Sequence, residues 1–265
     1  MTPAAAPAAR LGIVDWGIGG LGVLRELERV APGLAVTYWS DTGAPPYGLV
    51  PTDALADRLG RVVAALADDG CTEVLLACNA ASTVADRLGG AALPVEGIIG
   101  HGVAAVPADV DGLVGIVGGR RTIRCGRYQR ALARSGRVVR GRVAQPLSAH
   151  LEAGRGATDG FRADLARIVA PLRGASALVL ACTHYPAAAD AFAAALPGTR
   201  LVDPAATVAA AVAARPPGPG PSPSVDPTSV APDRRYVTTG DPVAMVGAAD
   251  VTWSISLPVP ERRAL

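Results

Sequence analysis

Short, unbroken aliphatic runs recur along this chain, and each gives way to a polar or glycine-rich break followed by a stretch with helical spacing. "RLGIVDWG" leads into "GLGVLRELERVAP", "LAVTYWSDTG" precedes "PTDALADRLGRVVAALADDG", and "EVLLACN", "GLVGIVGG" and "ALVLACTHYP" repeat the pattern. Runs without polar alternation suit strands covered on both faces, and strands alternating with helices predict an α/β fold with mainly parallel sheets. The helix over "PTDALADRLGRVVAALADDG" is expected to be N-capped by Thr52 or Asp53 and stopped at Gly70. Further helices are expected around "RCGRYQRALARSG" and through "DGFRADLARIVAPLRG", and the chain returns to strand at "RYVTTGD" and "ADVTW".

Half of the 265 residues are apolar, enough to bury one large core or two ordinary ones. The pattern restarts after "LPVEGII", so two α/β halves of similar design are expected. Residues 214–235 are rich in proline and glycine and too poor in apolar surface to pack, which predicts a flexible excursion. A net charge of +2 with scattered basic residues argues against nucleic acid as a partner. No apolar run reaches the ~18 residues of a membrane span and the opening lacks a signal-peptide pattern, so a cytoplasmic location is expected. The four cysteines have neither the density of a disulfide framework nor the spacing of a zinc site, and are expected to be free thiols without a metal. All 25 basic residues counted as Lys+Arg are arginine, which removes the Schiff-base lysine that pyridoxal phosphate chemistry requires.

In open α/β sheets, ligands gather at the carboxyl ends of the strands, where loops and helix N-termini converge. Five such ends carry reactive or polar groups: Asp15, the "SDTGAPPYG" loop, Cys78 with Asn79, Thr122, and Cys182 with Thr183 and His184. A free cysteine is most often a small buried hydrophobe. Two at the ends of matching strands, one of them two residues from a histidine, instead suit thiols tuned as bases or nucleophiles. Asp15 reads as a helix N-cap or a site carboxylate, and its place at a strand end favours the second. It precedes the glycines of "WGIGGLG" instead of following them by ~20 residues, which argues against a dinucleotide site. His101 and His150 lack reactive neighbours in sequence, and spacing alone does not select Glu152.

Taken in order, these pieces resemble the aspartate/glutamate racemase family. "VDWGIGGLGVLRE" resembles its first strand and glycine turn, "SDTGAPPYG" its tyrosine loop, "ACNAAS" its first thiol motif, "RRTIRCGRY" its threonine motif and "ACTHYP" its second thiol motif, with "LVDPAAT" and "YVTTGD" extending the similarity. The resemblance implies two similar α/β domains flanking a cleft, with residues 1–97 and 205–265 forming the first and 98–204 the second. It implies cofactor-independent racemisation by two cysteines, most closely of L- and D-glutamate, supplying D-glutamate for peptidoglycan. By that analogy Cys78 and Cys182 exchange the α-proton, Asp15 assists Cys78, His184 assists Cys182, and Glu152 orients His184. Pro46, Tyr47, Gly48, Asn79, Thr122 and Thr183 would contact the substrate, as would Trp16 and Ala80. A small amino acid is the implied partner, and a homodimer is compatible with the resemblance.

Trp16 and Ala80 stand where the family usually has serine and threonine, and Gly119-Arg120-Arg121 replaces a small segment before Thr122. A hydrogen bond to a charged group is worth ~1.5 to 3 kcal/mol, so two missing hydroxyls bear on substrate choice. Three outcomes stay open on sequence: racemisation of glutamate, the same chemistry on another small acid or amino acid with Trp16 reshaping the pocket, or ligand binding without turnover.

Overall fold

In a computed structural model, residues 9–215 and 233–265 are described, and they form two parallel sheets flanked by helices. The first part of the chain lays down β1 (Arg10–Asp15), α1 (Leu21–Val30), β2 (Ala35–Ser40), α2 (Thr52–Asp68), β3 (Glu73–Leu76), β4 (Val95–Gly97) and α3 (Ile99–Ala104). Then come β5 (Leu113–Gly118), α4 (Arg120–Cys125), α5 (Arg127–Arg134), β6 (Val138–Val143), α6 (Gln145–Glu152), α7 (Asp159–Val169), β7 (Ala177–Ala181), α8 (Ala189–Ala195) and β8 (Arg200–Val202). The last elements are α9 (Pro204–Ala213), β9 (Arg234–Thr238), α10 (Pro242–Trp253) and β10 (Glu261–Arg262).

The six-stranded sheet has the order β10-β9-β2-β1-β3-β4 and the four-stranded sheet β6-β5-β7-β8. Four consecutive strands of the first sheet, β2-β1-β3-β4, therefore repeat the order of the second. In each, the winding reverses beside the second strand of that series, between β1 and β3 or between β5 and β7, which opens a crevice at the carboxyl edge. The two cysteine-ending runs are β3 and β7, so each thiol emerges at the reversal point of its own sheet.

Continuous apolar runs work here because both faces of each sheet are covered. Leu11 and Ile13 of β1 enter a cluster with α1, α9 and α10, while Val14 enters a second with Leu55, Leu59 and Val62 of α2. The four-stranded sheet is likewise packed by α6 and α7 on one side and by α3 and α5 on the other. The chain's return after α9 is structural: β9 pairs with β2 and carries β10 at the edge of the first sheet.

Several local expectations are corrected. Helix α2 is capped by Pro51 in extended geometry without a side-chain bond, which puts Thr52 and Asp53 inside the first turn; Gly70 ends it at φ +80°. The helix expected around "RCGRYQRALARSG" is two helices, because Gly126 adopts φ +68° and breaks the ladder between α4 and α5. "ADVTW" is the end of α10, not a strand. Its β-branched residues favour extended structure locally, but Asp241 accepts from the Val243 N–H at 2.8 Å and Pro242 opens the helix, so the segment is nucleated from upstream. Of the proline-rich stretch, 216–232 lies outside the described residues. Its flanks are ordered: Arg215 pairs with Glu73 and Glu96, and Arg234–Arg235 belong to β9.

Helix α10 is held by Trp253, 5% exposed, whose ring lies so close to Gly22 of α1 that a Cβ there would sit 2.6 Å from it. Trp253→Ala empties this contact and is expected to lower the unfolding free energy by about 3 to 5 kcal/mol in urea denaturation. A loss below about 1 kcal/mol would show that α10 does not depend on it.

Candidate active site

The carboxyl edges of the two sheets face a cavity of about 360 Å³. Trp16, Pro46, Tyr47, Gly48, Asn79 and Ala80 line it from loops of the first sheet, and Thr122, Cys182, His184 and Glu152 from elements of the second. Asp15, Cys78 and Thr183 are not part of the lining. Asp15 and Thr183 are buried and bonded to each other, and Cys78 is half-buried between buried Ala77 and the lining residue Asn79. Trp16 is on the cavity wall, where its indole N–H donates to Ala44 O at 2.9 Å.

The second-sheet machinery docks onto the glycine turn after β1. His184 is 5% exposed; its Nε2 pairs with Glu152, and its Nδ1 lies 3.8 Å from Cys182 Sγ. Glu152 also accepts from the Ile18 N–H at 3.2 Å, and Thr183 donates to Asp15 Oδ2 at 2.7 Å. These contacts explain the glycines. A Cβ on Gly17 would collide with the Glu152 carboxylate, and one on Gly19 would lie 2.6 Å from His184 Nδ1. The space beside this glycine turn is occupied by Glu152, Thr183 and His184 from the opposite half.

Burial, then the neighbouring charge of Asp15, raises the Cys78 thiol well above its ordinary 9.0, against backbone donors at Ala81 and Ala80. Burial also raises Asp15, opposed by His184 and by the bonds from Thr183 and Gly17. For His184 burial acts downward, but its bonds to Cys182 and Glu152 outweigh it and hold the imidazolium well above 6.5. The raised values favour a protonated Cys78 and a charged His184 beside Cys182. Asn79, which lines the cavity, accepts from Tyr128 O–H at 2.8 Å, while its buried Nδ2 has no partner among the described residues. Among the described residues no group of three or more His, Cys, Asp or Glu side chains is placed to hold a metal.

Residues not selected from sequence complete the walls: Gly119, Arg121, Gln145, Ser148, Ala149, Ala153 and Ala181. Buried Asp41 anchors the tyrosine loop from outside the cavity, accepting from Tyr47 O–H at 2.7 Å, Arg58 Nη2 at 2.6 Å and Thr239 O–H at 2.8 Å. Tyr47 lies in the same run as Asp41, "SDTGAPPYG", which pointed to the loop, whereas Arg58 and Thr239 are 17 and 198 positions away and carry no periodic signal.

The profile of the Asp/Glu/Hydantoin racemase family matches residues 11–212. The chain belongs to this family. A glutamate racemase of Desulforudis audaxviator is 36% identical over 210 residues, 76% of this chain and 77% of that protein. Among solved structures, the glutamate racemase of Thermus thermophilus in complex with beta-chloro-D-alanine superposes with a TM-score of 0.80 at 26% identity, covering 98% of each chain. The glutamate racemase of Francisella tularensis in complex with D-glutamate has a TM-score of 0.82 at 20% identity, covering 97% of this chain and 98% of that one, and shares the fold. This family member therefore has the two-sheet α/β architecture expected from its strand pattern.

Two outcomes test the site geometry. Iodoacetamide labelling of Cys78, followed by peptide mass spectrometry, should be slow near pH 7 and still rising past the ordinary thiol value of 9.0; a plateau below about pH 8 contradicts the raised pKa. Gly19→Ala should displace His184 and cut activity at least about a hundredfold while leaving the circular dichroism spectrum intact.

Proposed function

We propose that this racemase interconverts L- and D-glutamate without a cofactor, with Cys78 and Cys182 exchanging the α-proton from opposite sides of the substrate. One observation carries the reading: two thiols emerge at the reversal points of two sheets of the same strand order, beside one cavity, each with its own charged neighbour. The likeness to proteins named glutamate racemase supports the choice of substrate.

In one direction the Cys182 thiolate, steadied by the His184 imidazolium, takes the α-proton and becomes a thiol; the C–H electron pair stays on the α-carbon. Cys78, whose raised pKa favours the thiol, returns a proton to the opposite face and becomes a thiolate beside Asp15. The reverse reaction starts from that state, so no net proton is gained or lost. The α-proton is a very weak acid, and the carbanion needs preorganised donors at the adjacent carboxylate. Asn79 Nδ2, without a partner among the described residues, and Thr122 suit this role. The Thr183 hydroxyl is committed to Asp15, which makes it a positioning residue for that carboxylate. Glu152 orients the imidazole and ties it to the glycine turn. Tyr47 and Gly48 are placed for the distal carboxylate, with Pro46 shaping that loop and Trp16 and Ala80 closing the wall.

The domain division, 1–97 with 205–265 against 98–204, belongs to the same proposal, supported by the separate apolar clusters on the two sheets. So does a cytoplasmic site of action, where reducing conditions preserve free thiols. No helix among the described residues is long and apolar enough to cross a membrane.

Incubation with L-glutamate in deuterated water should give α-deuteration and loss of optical rotation, and Cys78→Ser and Cys182→Ser should each reduce racemisation about a thousandfold. Wild-type rates in either variant would exclude that thiol from the reaction. Exchange confined to another amino acid would replace the substrate.

A further inference from the structure

The charges on the cavity wall do not balance. His184 and Glu152 pair with each other, whereas Arg121 also lines the cavity and, among the described residues, has no carboxylate within 4.0 Å. Arg121 sits on α4 beside the second sheet and reaches across the cleft to the loop after β2. Its Nε donates to Tyr47 O at 3.0 Å, its Nη1 to Thr52 Oγ1 at 3.2 Å, and its Nη2 to Val50 O. A guanidinium carries five N–H groups, so these three bonds leave two without an assigned acceptor.

The guanidinium is held by three bonds to this segment. The clasped loop is itself anchored, through the Tyr47 hydroxyl, to Asp41, and Asp41 is held by Arg58. Gln145 closes the same corner: its Oε1 accepts from the Arg120 N–H at 3.1 Å and would lie 3.2 Å from a Cβ on Gly48. A planar cation held this rigidly suits an oxygen-bearing anion, and it stands next to Tyr47 and Gly48. The hydroxyl donors missing at Trp16 and Ala80 are on the same wall, and the Trp16 N–H is already committed to Ala44.

We propose that Arg121 is a specificity-determining residue whose unassigned N–H groups and uncompensated charge receive the distal carboxylate of an α-amino dicarboxylic acid. The inference rests on the cavity being the substrate site proposed above. A substrate with a neutral amide at that end offers one acceptor oxygen and leaves the cation unpaired, so the residue acts by discriminating between acid and amide.

The test needs no turnover. Wild type, Arg121→Ala and Arg121→Lys are titrated calorimetrically with glutarate and with glutaramate, whose distal group is a neutral amide. Wild type should prefer glutarate by about 30-fold, Arg121→Ala should lose that preference, and Arg121→Lys should keep part of it as a point charge. Equal affinity for the two ligands in the wild type, or an unchanged preference in Arg121→Ala, overturns the proposal. Deuterium exchange with glutamate then separates the two levels. Arg121→Ala should raise KM by more than about tenfold with kcat within about threefold. If wild type shows the Arg121-dependent preference but no exchange, the specificity role stands and the racemase reaction falls. If exchange and KM are the same in wild type and Arg121→Ala, the reaction stands and the role of Arg121 falls.

Discussion

A buried carboxylate at the end of β1 accepts a hydrogen bond from a hydroxyl that follows β7, and the registration of the two sheets depends on this pair. Asp15 is 1% exposed, and Thr183 reaches it at 2.7 Å. A hydrogen bond to a charged group is typically worth about 1.5 to 3 kcal/mol, and the buried carboxylate that loses it stays desolvated. The neighbouring bond from the Ile18 N–H to Glu152 repeats the tie three residues further along the chain, and Glu152 in turn pairs with His184. The groups beside the two thiols, Asp15 and His184, thus belong to the same set of contacts that joins the halves.

That double duty explains why the glycine turn is so constrained. The bonds crossing from the second sheet end on Asp15, Ile18 and the space above Gly17 and Gly19, so side-chain volume is excluded from one wall by the presence of the other. Tyr38 supports the turn from beneath, donating from its hydroxyl to Gly17 O at 2.8 Å.

The alternation of apolar runs with helical stretches was enough to read the α/β class and the positions of β1, β3, β5 and β7, since burial on both faces leaves a mark on every residue. The thiols and their strand-end neighbours were legible for the same reason: a reactive side chain closing an aliphatic run stands out. Errors fell where local preference competes with a distant partner. "ADVTW" looks extended until the cap at Asp241 and the packing of Trp253 on Gly22 are known. Nothing short-range announces Gly126 as the residue that splits a helix. Arg121 was visible only as a departure from a family pattern, because its partners lie on a loop some seventy positions earlier (residue separations of 74 and 71). Glu152 was reached through resemblance alone, and the structure supplies the physical reason: it is the acceptor that joins an imidazole to a backbone N–H across the cleft.

The matching strand orders have a consequence for stereochemistry. Two halves with the same winding each end one cysteine-bearing strand at the reversal point of its own sheet, and the carboxyl edges of both sheets face one cavity. Enantiomers differ in which face of a trigonal carbon receives hydrogen. On the proposed chemistry, one sulfur for each face would let a single site take either hand as its substrate, while the balance between the two hands is set by their equal free energies and not by the protein.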